Sequence, residues 1–200
     1  MMQLLVPSWY PYQCLGRALD EMLGEPLARA PADANVAAEH VGEHWQFIAL
    51  LDGGEPVLGT TAIGEALDRR YPTRRIIGID PIGRAEVRAH VSRIEEMFWC
   101  LVMADMPDHP GFGRPLWNDG SGARERMLEE VPWRMDTIEL FAAKRTTRFL
   151  SGELPSIADA FLAALLNTAA HQGIGPLLLR PSLQRWAAEN GQGRPFTINT

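Results

Sequence analysis

Side chains able to donate a proton or carry a thiolate cluster in a short stretch at the start of the first helical pattern, Ser8, Tyr10 and Cys14 among them. A free thiol titrates at about 8.5, and lowering that by two units takes about 2.7 kcal/mol of preference for the anion. One phenol donor and the exposed N–H groups of a helix start are enough to supply it. Cys14, placed by this reading inside the first helical turn, has the same dipole in favour of its own thiolate. Each residue also has a plainer reading. Tyr10 can pack its ring with the hydroxyl in water, Ser8 can hold a turn, and Cys14 can be a small buried hydrophobe. A second place with chemical capacity is Thr60-Thr61, just ahead of the helical spacing of Ile63, Ala66 and Leu67. A hydroxyl at a helix N-terminus suits a bound carboxylate, and the plainer reading is a helix cap.

The elements that must hold these residues can be read from periodicity. Gln3 to Val6 is an apolar run closed by Pro7, the pattern of a buried first strand. Leu15, Ala18, Leu19, Met22 and Leu23 then recur at helical spacing, with Gly24 as the stop. Pro26 to Ala30 reads as a weak second strand, and Ala34 to Glu43 as a helix with Asp33 as its cap. A hairpin runs from Phe47 to Leu58 around Asp52-Gly53-Gly54. The Thr60–Thr61 helix ends before Pro72, because a residue preceding proline is pushed out of the α region.

Beyond a linker from Thr73 to Pro81 the strand patterns cease. Val87, Val91, Ile94, Phe98, Leu101 and Val102 form one long apolar stripe. His109 to Gly122 is a loop rich in proline and glycine. Leu128, Val131, Met135 and Ile138 predict a second long helix, kinked near Pro132. Ser156 to His171 is a largely apolar, hence central, helix, and Pro181 opens a final one.

Composition excludes several function classes. The 200 residues carry a net charge of −6 with no Lys/Arg run, which argues against nucleic-acid binding. Cys14 and Cys100 make no C-x-x-C pair, so neither a disulfide framework nor a thiolate metal site is expected. His40 and His44 stand at i, i+4, but the segment His40-Val41-Gly42-Glu43-His44 lacks the H-E-x-x-H order and reads as a solvated helix face. The opening residues have no charged region of a signal peptide, and no apolar run approaches a membrane span of about 20 residues. A soluble, cytoplasmic protein is the expectation.

Two segments carry a family resemblance. Leu154-Pro155-Ser156-Ile157-Ala158-Asp159-Ala160-Phe161-Leu162 combines a Ser cap with an acidic third helical position. Thr60-Thr61-Ala62-Ile63-Gly64-Glu65-Ala66-Leu67 leads to Tyr71-Pro72. Together they resemble the S/T-I-A-D box and the segment closing the first domain of the glutathione transferase superfamily. Pro11 and Arg17 match part of its first-helix pattern, and Arg194-Pro195-Phe196 resembles its R-P-x-F tail without the spacer. The resemblance covers nearly the whole chain. It implies an α/β thioredoxin-like N-terminal domain over residues 1–73, an all-α C-terminal domain over 82–200, and a homodimer.

It also implies roles. Tyr10 aligns with the catalytic position of serine- and cysteine-type members and is the first candidate to activate the glutathione thiol, with Ser8 and Cys14 as alternatives. Glutathione-binding positions map to Gln46, Ile48, Thr60 and Thr61, and a pocket for the second substrate to Trp9, Tyr12, Trp99 and Met103. Ile48 stands where members keep a cis proline; a non-proline cis bond costs roughly 3 kcal/mol, so a trans bond is expected. Thr60 lacks the longer side chain usual there. The implied function is conjugation of glutathione, as co-substrate and without a metal, to a small electrophile. The alternative is a protein of the same fold that has left glutathione catalysis and serves as a binding or assembly module, or acts on a specialised metabolite.

Overall fold

The computed structural model describes residues 2–7, 10–29, 48–53, 55–105, 123–175, 180–193 and 195–198. The helix expected over 34–43, the His40/His44 pair and the loop 109–122 lie outside them. Strand β1 (Met2–Leu5) buries Leu4 and Leu5 completely and pairs antiparallel with β2 (Ala49–Asp52), Leu4 opposite Leu50. β2 pairs in turn with β3 (Glu55–Leu58), Asp52 opposite Glu55, which makes the expected hairpin with a two-residue glycine turn. Gly53 has φ 65°, a conformation that a two-residue hairpin turn asks of its first position.

The second strand expected at Pro26–Ala30 is not formed in its described part. It shrinks to one parallel bridge, Leu4 with Arg29, and one bond from the Leu4 N–H to the Ala28 carbonyl (2.7 Å). The reason is local. The Leu27 N–H is taken by the Asp20 carboxylate at 2.8 Å, and Arg29 pairs with the same acid, so the segment is tied to the first helix rather than to a ladder.

That helix, α1 (Tyr10–Leu23), begins directly at Tyr10 because Pro11 occupies a first-turn position whose missing N–H costs nothing. Cys14 therefore lies in the second turn, not the first as expected. Gly24 (φ 70°) ends the helix as its position suggested. Helix α2 (Thr60–Arg70) is followed by the 73–81 segment, which is more than a tether. Ile76 and Ile77 are buried, and the Ile76 carbonyl accepts the Ile157 N–H at 2.9 Å. Gly64 of α2 lies so close to Ile77 and Ile157 that a Cβ there would stand 3.1–3.3 Å from their side chains.

Helix α3 (Pro81–Asp105) buries its whole predicted stripe from Val87 to Val102. The single kinked helix expected next is two helices, α4 (Ala123–Glu129) and α5 (Val131–Lys144), separated at Glu130. Pro132, with no N–H to return to the preceding turn, turns the predicted kink into a break. Helix α6 (Ile157–His171) is central, packed against α1 and α3 and buried from Ile157 to Ala169. Its Ser156 cap and Asp159 form a reciprocal capping box.

Asp159 does more than cap. Fully buried, its carboxylate accepts the Ser156 N–H (2.9 Å), the Ser156 hydroxyl (2.6 Å), the Leu150 N–H (2.9 Å) and the Trp186 indole N–H (3.3 Å). Burial pushes its pKa up while these donors pull it back. Trp186 belongs to α7 (Pro181–Asn190) and stacks on Phe196, centroids 6.0 Å apart. One carboxylate thus joins the 150 turn, the start of α6 and α7.

Candidate functional site

A cleft of about 200 Å³ opens where the two halves of the chain meet. Tyr12 and Leu15 of α1 form one wall, Ile48 and the Leu58-Gly59-Thr60 corner another, and Glu95, Phe98 and Trp99 of α3 with Phe161 of α6 the third. Aromatic contacts fix its shape: Tyr12 meets Phe98 edge-on at 5.8 Å between centroids, and Phe98 tilts against Phe161 at 4.9 Å. Burial first, and then the Glu95 carboxylate, raise the Tyr12 pKa well above the ordinary phenol value. Tyr12 is therefore a neutral phenol at any physiological pH.

The corner at Gly59 differs from expectation. Neither threonine caps α2. The N-cap is Gly59, at φ 89° and with no side-chain cap bond, and its carbonyl accepts the Ile63 N–H at 2.9 Å. That φ favours glycine, so the helix starts one residue early and the threonines become its first two residues. Thr60 is buried, and its hydroxyl donates to Oε1 of Glu95 at 3.1 Å; Thr61 is half-buried beside it. The first N–H groups of α2 have no intrahelical acceptor and give the corner a positive potential.

Tyr10 and Tyr12, two residues apart on α1, face different ways. Tyr12 lines the cleft, whereas the Tyr10 ring stacks on His171 of α6 at 3.7 Å between centroids and 21° between planes. Its hydroxyl bonds the Cys14 sulfur, and the Cys14 side chain also meets Thr168. Burial raises the Tyr10 pKa, reinforced by that bond. Burial likewise raises the Cys14 thiol, outweighing Tyr10, Arg17 and Thr168, so the helix dipole does not make it a thiolate.

Ile48 is buried in the cleft wall immediately before β2, and Trp99 is half-buried in the α3 wall. Met103 lies on α3, its side chain not described. Ser8, Trp9 and Gln46 lie outside the described residues. The structure thus gathers Tyr12, Ile48, Thr60 and Trp99 around one cleft and sets Tyr10 with Cys14 on the α6 side of α1. Sequence reasoning missed Glu95, Leu15, Phe98 and Phe161 as wall residues. The only signal for Glu95 is a carboxylate next to Ile94 on the apolar stripe, four residues before Trp99.

Among the described residues no group of three or more His, Cys, Asp or Glu side chains could hold a metal ion, and no helix is long and apolar enough to cross a membrane. A second cavity, about 340 Å³, lies at the far side of α3, where His90 Nδ1 is 2.9 Å from the Ser151 hydroxyl. Burial lowers the pKa of His90.

No family model matches the chain, and no curated protein matches it. Solved structures do. A glutathione S-transferase from Methylobacillus flagellatus, solved with GSH bound, superposes with a TM-score of 0.74 at 22% identity over 98% of this chain and 97% of that one. A glutathione S-transferase domain-containing protein from Marinobacter aquaeolei gives 0.73 at 20% identity over 98% and 100%. The chain has the glutathione transferase fold. A tau-class transferase from mango gives 0.68 at 18% identity, over 98% and 90%, so the glutathione transferase fold is matched over nearly full length by bacterial and plant structures alike. The small antiparallel sheet with its parallel bridge is the thioredoxin-like part, and the helices from α3 onward are the all-helical part.

Proposed function

We propose that the protein binds glutathione in this cleft and presents its thiolate to a small electrophile. The observation that carries the reading is the convergence of the start of α1, the Ile48 edge and the N-terminus of α2 on one aromatic-walled space. The first N–H groups of α2 with Thr61 would hold the carboxylate of the γ-glutamyl end, near Thr60 and Gln46, while main-chain groups around Ile48 meet the cysteinyl part. The electrophile would lie against Tyr12 and Trp99, with Trp9 and Met103 completing the pocket. The thiolate sulfur attacks the electrophilic carbon, a sulfur–carbon bond forms, and a leaving group departs or the adduct takes a proton. Fixed placement of both partners lowers the entropic barrier, and an apolar wall strengthens the hydrogen bond to the sulfur.

For Tyr10 to supply that bond its hydroxyl must exchange the Cys14 sulfur for the ligand's; Ser8 and Cys14 are the alternatives within the same reading. Tyr12 already faces the cleft and competes for the role. A homodimer in the cytoplasm completes the proposal. A second reading, a binding module of this fold without conjugation, is favoured by Ile48 in the wall and by the engagement of Thr60 with Glu95.

Titration with glutathione, followed by tryptophan fluorescence and by retention on immobilised glutathione, separates the two. Saturable binding is expected, and no binding at ligand excess removes the catalytic reading. Given binding, Tyr10→Phe should slow conjugation of a test electrophile by about 10²-fold. An unchanged rate, with the loss appearing in Tyr12→Phe, moves the role to Tyr12.

A further inference from the structure

Among the described residues that line the cleft, Glu95 is the one carboxylic acid in a largely apolar and aromatic wall. Glu95 is half-buried on α3, and one of its oxygens accepts the Thr60 hydroxyl. Among the described residues no Lys, Arg or His pairs with it. The guanidinium groups of the same helix are engaged elsewhere: Arg84 with Asp68, Arg88 with Glu65 and Arg93 with Glu96. A carboxylate taken partly out of water without a counter-cation is under-compensated, since one neutral donor does not replace the lost hydration. Around it stand Tyr12, Phe98 and Trp99, whose ring faces present negative electrostatic potential.

Carboxylate and aromatic faces favour the same kind of guest, a compact cation on an apolar body. A guest that turned an anionic group to Glu95 itself would meet like charge, whereas the glutathione carboxylate of the reading above is assigned to the N–H groups that open α2. We infer that the cleft selects a small organic ammonium compound, its charged nitrogen on Glu95 and its apolar body against Tyr12, Phe98 and Trp99. This deepens the reading above by naming the class of the second substrate, and rests on it only in placing that substrate in the same cleft. Thr60 has a positioning role here, its hydroxyl fixing one carboxylate oxygen so that the other is turned to the ligand.

The test uses three probes of one shape at neutral pH: 4-phenylbutylamine as its ammonium ion, 4-phenylbutanol and 4-phenylbutyrate. Binding is followed by tryptophan fluorescence and by calorimetry. In the wild-type chain the ammonium should bind about tenfold or more tightly than the alcohol, with the carboxylate weakest. Glu95→Gln should bring ammonium and alcohol within about twofold of each other, whereas Thr60→Val, which keeps the carboxylate but loses the bond that positions it, should weaken the preference without abolishing it. An ammonium no tighter than the alcohol in the wild-type chain, a preference that survives Glu95→Gln, or failure of all three probes to bind overturns the inference. The wild-type ratio needs no variant to fold. Glutathione titrated in parallel decides the earlier reading separately, because its binding does not enter the ratio.

Discussion

Asp159 and Glu95 are both inward-facing carboxylates on neighbouring helices, and the chain surrounds them in opposite ways. A carboxylate offers about four acceptor positions. Those of Asp159 meet four donors from three segments, two of them backbone N–H groups that would otherwise be orphaned in the interior. Among the described residues Glu95 meets one, the Thr60 hydroxyl, and it lines an aromatic cleft. A saturated acid is committed to architecture. An acid with spare acceptors and no partner cation has capacity left for something that is not part of the chain.

Removing the saturated acid should break this contrast most visibly. Asp159→Ala leaves the Leu150, Ser156 and Trp186 N–H groups buried without an acceptor, each costing about 1–3 kcal/mol. A loss of about 4 kcal/mol in urea unfolding is expected. A loss below about 1 kcal/mol would mean that water reaches these donors and that Asp159 is not the lock described. The next largest effect tests whether the two acids share one framework. Gly64 lies on the helix that carries Thr60, against Ile157 at the start of the helix that carries Asp159. Gly64→Val has to displace Ile77 or Ile157, and overpacking of this kind costs about 1–3 kcal/mol. The same shift moves Thr60 away from Glu95, so the ammonium preference should weaken along with stability. Lower stability with an unaltered preference would show that the cleft is set independently of this junction.

What was legible in the chain follows the same division. The Ser156–Asp159 box could be read because capping is local: spacing alone puts both partners within one helical turn. The α3 stripe and the Gly24 stop are local in the same sense. The break at Glu130 was half-visible, since Pro132 announces a disturbance without saying whether the helix bends or ends. The weak strand after Pro26 misled because the Leu27 N–H and the Arg29 guanidinium go to Asp20, a choice made by tertiary proximity. The candidate site was least legible. Glu95 and Thr60 are 35 residues apart, and nothing in either segment announces the pairing. The family resemblance assigns Tyr10 and Tyr12 to the thiol and to the second-substrate pocket of one site, yet the helix phase sends Tyr10 to His171 and only Tyr12 to the cleft. A helix start misplaced by a single residue was enough to turn Thr60 from a cap into a partner for Glu95.

The smallest effects sharpen the comparison at its lower end. Glu95→Gln removes a charge that no cation among the described residues compensates and keeps an acceptor for Thr60, so unfolding free energy should change by less than about 1 kcal/mol. A large loss would make Glu95 a structural acid like Asp159. His90 stands between the two cases, buried like one and singly bonded like the other. Its Nδ1 meets the Ser151 hydroxyl, its ring lies 4.4 Å from that of Phe141, and Glu86, Lys144 and Arg145 share its cavity. Burial holds its pKa below the ordinary value of 6.5, so as pH falls through 6.5 the unfolded chain takes up the proton first. Stability from this group is therefore intact above 6.5 and declines as pH drops toward the lowered folded value, below which the loss is complete. In His90→Gln that component is absent, and its unfolding free energy should converge on, or overtake, the wild-type value as the medium is acidified. Two parallel stability curves across that range would mean that His90 meets water or the Glu86 carboxylate freely enough to titrate as it does in the unfolded chain, and would set it beside Glu95 rather than Asp159.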